Sequence, residues 1–174
     1  MDTDILDSEL YAIQEIVNTA VRIPKFTYPM YVNAPRPSGD YAAVRCRQSR
    51  NPGFDSQKYK DNPEGGLVFV TEGIRILTFD ILFVREGNEL VMFDNSFYRP
   101  DVKQVMRKHG FAALSKYPTN LRNINLETNW EVRTGITCEF NVLRYSECII
   151  DEMSGAKING DFVADNKNII IKGI

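Results

Sequence analysis

The chain has 174 residues, 43% hydrophobic and 25% charged, a single-domain length with enough apolar surface for a core, which argues against a disordered polymer. Its 21 basic and 23 acidic residues leave a net charge of -2, so the composition carries no extended basic footprint for gripping nucleic acid. Cys46, Cys138 and Cys148 are widely spaced, with no CxxC pair and no histidine cluster, and indicate neither a disulfide framework nor a zinc site.

The opening Met-Asp-Thr-Asp lacks a basic n-region and an apolar h-region, so it does not read as a signal peptide. Leu6, Leu10, Ile13, Val17 and Ala20 recur at helical spacing behind Asp2, Asp4, Asp7 and Glu9, acids that suit a helix start. A helix is expected over 4–21. Pro24 and Pro29 then punctuate an extended segment over 23–32 carrying Phe26, Tyr28 and Tyr31, a layer across a sheet or an arm onto a neighbour. The next stretch, Asn33-Ala34-Pro35-Arg36-Pro37-Ser38-Gly39-Asp40-Tyr41, reads as a stiff hook. Its prolines fix φ near about -65° and bias Ala34 and Arg36 toward extended geometry, and the Ser-Gly-Asp turn delivers the chain into a strand over 41–48.

Residues 49–66 contain Asn51-Pro52-Gly53, Asn62-Pro63 and Gly65-Gly66 among charges, and read as a long exposed loop. Strand-like runs follow over 67–71 and 74–85 around Glu72-Gly73. The second becomes apolar on both faces at Leu82 and Val84, as in a central strand. A helix is expected over 89–97, with Leu90, Phe93 and Phe97 on one face, and another from Pro100 to its stop at Gly110, striped by Val102, Val105, Met106 and His109. Strands are expected over 111–116 and 121–126 around a turn at 117–120. From Trp130 to Val142 strict alternation gives the cleanest strand pattern in the chain. Beyond Ile149 short polar turns precede an apolar run at 169–172, a C-terminal hairpin or arm able to add to a neighbouring sheet edge. The elements add up to one α+β domain over 1–174, a mostly antiparallel sheet packed by an N-terminal helix and a central helical pair.

Chemistry is sparse. The only histidine, His109, ends a helix, where bonding to the last carbonyls is a better reading than catalysis. Nucleotide-binding, nucleophile-elbow and zinc-protease motifs are missing, and Asp151, Glu152, Asp161 and Asp165 fit no calcium loop. No catalytic residue, cofactor or metal is expected. Arg45, Arg47 and Arg50 form a small basic cluster, a solvated strand face or a contact for an acidic partner; Tyr59 in the loop is a further partner-facing candidate.

A short helix, then the N-A-P-R-P-x-x-x-Y segment at 33–41, then a strand resembles the tailed-bacteriophage neck terminator, or tail terminator, family. Gly39-Asp40 stands where the family pattern carries a proline. The resemblance implies a tail-terminator-like fold and a non-enzymatic virion protein, assembled in the host cytoplasm. It implies a ring of identical subunits, a hexamer, that caps the tail tube (and sheath, in a contractile tail) and meets the head connector. DNA would pass through the lumen without specific binding, and no membrane is involved. Asn33, Pro35, Arg36, Pro37 and Tyr41 then become a structural hook or a subunit seam. The alternative from another class is a non-enzymatic cytoplasmic adaptor that recognises peptides by sheet-edge addition.

Overall fold

The computed structural model describes residues 5–30, 37–63, 65–84, 88–119 and 134–150, and the backbone of 124–126, 129–131, 156–157 and 170–171. Residues 31–32 of the expected extended segment, the expected hook residues 33–36, the acids Asp151 and Glu152 and the stretch 158–169 lie outside these. The chain gathers into two compact units, Met1–Phe54 with Gly73–Arg144, and Asp55–Glu72 with Tyr145–Ile174.

In the first unit, helix α1 (Asp7–Val21) starts at Asp7 rather than 4 because Leu6 is extended and takes the cap position. Leucine offers no capping oxygen. The Glu9 carboxylate substitutes, accepting the Leu6 N–H at 2.9 Å. Glu9 is buried there and receives both Nε (2.9 Å) and Nη2 (2.7 Å) of Arg144, a bidentate pair fixing the helix start to the sheet. Strand β1 (Thr27–Pro29) runs parallel to β2 (Ala42–Arg50). Asn18 Oδ1 accepts both the N–H (3.0 Å) and the hydroxyl (2.7 Å) of Thr27, tying α1 to β1.

In the second unit, β3 (Ser56–Asp61) lies inside the segment expected as a loop and is exposed along its whole length. It pairs antiparallel with residues 67–72 of β4 (Leu67–Phe83) through a tight turn in which Gly65 and Gly66 have φ of +99° and +86°. The two runs expected around Glu72-Gly73 are this single strand: β3 hydrogen-bonds its first part and β2 its residues 76–83, so a change of neighbour stands where a turn was expected.

Helices α2 (Asn88–Ser96) and α3 (Pro100–Lys108) follow, with Pro100 at the first helical position and Gly110 left-handed at φ +70°. Strand β5 (Ala112–Thr119) continues through the expected turn at 117–119. Strands β6 (Ile124–Leu126) and β7 (Asn129–Glu131) form a small antiparallel pair, so Trp130 belongs to β7 and the long alternating strand β8 runs Thr134–Ile150. The short strands β9 (Ala156–Lys157) and β10 (Ile170–Ile171) pair antiparallel with each other. The main sheet has the order β1-β2-β4-β8-β5, with β3 also on β4.

The three helices of the first unit pack together over one sheet face. Ile13, Ile16 and Val17 of α1 meet Leu77, Phe79, Ile81 and Phe83 of β4 in a core completed by Ile136, Cys138 and Phe140 of β8. Seven phenylalanines form a connected ring cluster: Phe26 to Phe83 to Phe93 to Phe97 to Phe140, which meets both Phe111 and Phe79, with centroids 5.2–6.3 Å apart. Full burial of each such ring is worth about 2–3 kcal/mol, so this cluster dominates the hydrophobic term. Arg99 clips the helices. Its guanidinium donates to the carbonyls of Thr19 (2.8 Å) and Ala20 (3.4 Å) at the end of α1, to Ser96 Oγ (2.8 Å) at the end of α2, and to both carboxylate oxygens of Asp101 (2.6 and 2.9 Å) in α3.

Candidate functional site

Among the described residues no helix covers the other face of the first unit's sheet, and the side chains that alternate with the core point there. From β4 these are Ile74, Ile76, Thr78, Asp80 and Leu82; from β8, Thr137, Glu139, Asn141 and Leu143; from β2, Arg45 and Arg50, which register with Asp80 and Ile76. A bulge between Cys46 and Gln48 lets Arg47 reach the same place.

Asp80 is the centre of this face and is only 2% exposed. Its Oδ2 accepts Nε and Nη2 of Arg45, both at 3.2 Å, and Nε of Arg47 at 3.0 Å. Its Oδ1 accepts Nη2 of Arg47 at 2.5 Å and the Thr137 hydroxyl at 2.9 Å; Thr137 in turn sits 2.9 Å from the Thr119 hydroxyl. A carboxylate this deep is tolerated because every lone pair is met by a charged or hydroxyl donor. Two guanidiniums meet this one carboxylate, and the Glu139 carboxylate, which accepts the Ser115 hydroxyl at 2.7 Å, lies on the same face. The Arg45 and Arg47 side chains are 42% and 46% exposed, so their remaining N–H groups face outward.

Of the residues singled out in the sequence, the structure brings Arg45 and Arg47 together and leaves Arg50 exposed at the end of β2. Asn33, Pro35 and Arg36 lie outside the described residues. Pro37 is half-buried. Tyr41 is buried, its ring edge-on to Tyr28 at 6.1 Å and its carbonyl accepting the Val84 N–H at 3.2 Å, so the end of the hook is anchored on both sides. Tyr59 belongs to the second unit, exposed and packed against its cross-strand partner Phe69 at 5.3 Å. Asp80 and Thr137 were missed; the available signal was an acid set between Phe79 and Ile81 in the apolar run that ends β4.

His109 does not bond to the α3 carbonyls through its ring, as expected, but turns Nε2 onto Glu15 of α1 at 2.6 Å. Lys108 Nζ holds the same carboxylate at 2.8 and 3.0 Å, and these two partners, Lys108 first, keep Glu15 below the ordinary carboxyl range. A cleft of about 320 Å³ beside them is lined by Tyr11, Gln14, Glu15, Asn18, Lys25, Thr27 and Tyr28. Its Glu15 and Asn18 are already spent on protein partners, which leaves few groups to orient a ligand. Among the described residues no three His, Cys, Asp or Glu side chains gather as a metal site, and no helix is long and apolar enough to cross a membrane. Burial pushes the Cys138 thiol up to about 12, so it is no nucleophile.

No curated protein matches the chain. A family model described as phage neck terminator protein matches residues 10–166.

Proposed function

The chain belongs to the phage neck terminator protein family, and from that premise we propose that it forms a closed hexameric ring that caps the tail tube and joins it to the head connector. The family match over 10–166 carries this reading: it takes in all three helices apart from the first turn of α1, and every strand of the main sheet. As a neck protein it is a structural component of the virion.

A ring with two different faces needs heterologous subunit contacts, in which unlike surfaces of one chain meet and rotation closes the circle. The first unit supports such a contact with one sheet face under helices and the other, among the described residues, without a helix layer and mixed polar and apolar. On this reading the subunits assemble in the host cytoplasm and contact the tube protein, the sheath in a contractile tail, and the connector. DNA passes through the lumen without specific phosphate contacts, in keeping with the net charge of -2. The protein performs no catalysis and binds no cofactor. The hook from Asn33 to Tyr41 positions β2 at the seam, where Arg36, set between two prolines in the sequence, donates to a carboxylate or carbonyl.

Electron cryomicroscopy of intact necks tests this. A six-subunit ring between tube and connector is expected; a monomer, or a location elsewhere in the particle, overturns the reading. In the same assay Arg36→Ala should yield folded protein that no longer enters the ring, and normal incorporation would remove the hook from the seam.

A further inference from the structure

We propose that Phe54 of one copy of this chain docks in the cleft between α1 and β1 of a second copy, against Tyr11 and Tyr28. The inference rests on the ring reading and names an anchor of the subunit contact.

Phe54 is the outlier among the described large apolar side chains. It is fully exposed, whereas the next most exposed, Ile149, is at 67% and keeps about a third of its surface covered. The turn before it is fixed, with Asn51 Oδ1 accepting the Gly53 N–H at 3.0 Å. A phenyl ring, unlike the exposed tyrosines, has no hydroxyl to keep in water. One exposed ring is common on protein surfaces; a cleft of matching size and chemistry on the same unit gives this one an occupant's role.

The cleft of about 320 Å³ has room for a phenyl group, since about 150 Å³ is enough to hold benzene. Its polar groups are engaged within the subunit, Glu15 with Lys108 and His109, Asn18 with Thr27, and Gln14 Nε2 with the Thr27 carbonyl. An apolar guest suits it better than a polar one. Its aromatic walls are exposed, and each is steadied by a second ring: Tyr11 stands edge-on to His109 at 6.0 Å and Tyr28 edge-on to Tyr41 at 6.1 Å. Lys25, exposed in the same lining, offers a cation to a ring face.

Ring and cleft do not meet within one subunit. Tyr28 pairs with Ala43 near the start of β2, whereas Phe54 follows Arg50 at its far end, about 20 Å along the strand. Both belong to the first unit. A knob and a hole at different places on one body join only between copies, as unlike surfaces, which is the heterologous contact that a ring needs. A single aromatic in a pocket is a common anchor of such contacts.

Sedimentation velocity on the full chain, from dilute to its highest soluble concentration, tests the docking. Wild type should self-associate. Phe54→Ala, which removes the knob and should melt as wild type does, and Gln14→Trp, which fills the cleft, should each raise the dissociation constant by about tenfold or more. An equimolar mixture of the two variants should form one-to-one pairs and stop there, because one open cleft and one Phe54 remain. If wild type associates and Phe54→Ala associates equally well, or if the mixture forms no pairs, the docking is wrong and the ring reading stands. If Phe54→Ala self-associates normally but no longer enters necks, Phe54 docks on a different neck protein and the pairing falls. If wild type stays monomeric throughout, the docking falls, and the ring is decided by electron cryomicroscopy of the necks.

Discussion

Individual side chains carry much of the order in this molecule, and Arg99 carries the most, since one guanidinium closes the ends of α1 and α2 and the start of α3. Arg144 has the comparable task at the other end of α1. Truncating it strands the Glu9 carboxylate, 7% exposed, without its bidentate partner, and Arg144→Ala should cost about 3 kcal/mol in a denaturant titration. Two acids also tie stability to pH. Glu15, held down by Lys108 and then His109, and Asp101, held down by Arg99, have folded-state values below the ordinary 4.5 and 3.8. Their contribution is therefore complete above those values and is lost as pH falls through the lower, folded ones. Melting temperature should hold level down to about pH 5 and then drop, and Glu15→Gln should flatten part of that drop. The cysteines differ in reach: Cys46 and Cys138 are buried and Cys148 is exposed. Native protein should take up one equivalent of an alkylating reagent and unfolded protein three, counted by intact mass.

At the scale of elements, β8 is the least forgiving piece. A Cβ on Gly135 would stand 2.6 Å from Leu82 Cδ2 and 2.8 Å from the Ile81 carbonyl oxygen, and the latter is backbone that cannot step aside. Gly135→Ala should destabilise by about 1–3 kcal/mol. Phe140, two turns of the pleat further on, touches Phe79, Phe97 and Phe111, and Phe140→Ala should cost about 3–5 kcal/mol in the same titration. The elements most easily read from sequence are those that bury one face: the apolar stripe of α1, Pro100 opening α3, and the alternation at Ile136, Cys138, Phe140 and Val142 all mark contact with a core. Strand β3 was illegible because Ser-Gln-Lys-Tyr-Lys-Asp is exposed throughout and has no buried face to leave a pattern. The single β4 was hidden by Gly73, which marks a change of partner rather than a turn. Arg45 and Arg47 were recognised as a pair by spacing. Their counter-charge was not, since Asp80 lies more than thirty residues away and only the sheet register brings it beneath them.

For the whole molecule, the β3 hairpin belongs to the second unit while the phenylalanine cluster lies wholly in the first. Replacing 55–66 with a short turn should leave the main melting transition in place yet reduce the attachment of heads to tails, scored by electron microscopy; loss of soluble protein would make the hairpin part of the core. The sheet edges bear on how the chain meets others. At β1, Thr27 donates its N–H to Asn18 Oδ1 and its carbonyl accepts Gln14 Nε2 at 3.4 Å, and Pro29 has no N–H to donate. At β5, a register shift after Ala113 and Pro118 interrupt the ladder. Both edges are poor templates for an added strand, which weighs against an adaptor working through them. The double anchoring of α1 also bears on how the protein is made. Helix α1 leaves the ribosome first, but Arg99 and Arg144, which hold its two ends, are translated much later. At elongation rates of about 5–20 residues per second the roughly 70 residues from Ile13 to Phe83 of β4 take about 4–14 s, during which Ile13, Ile16 and Val17 have no β4 to cover them. The nascent chain is thus a natural client for a ribosome-associated chaperone, and yield should depend on translation speed more than the stability of the finished subunit suggests.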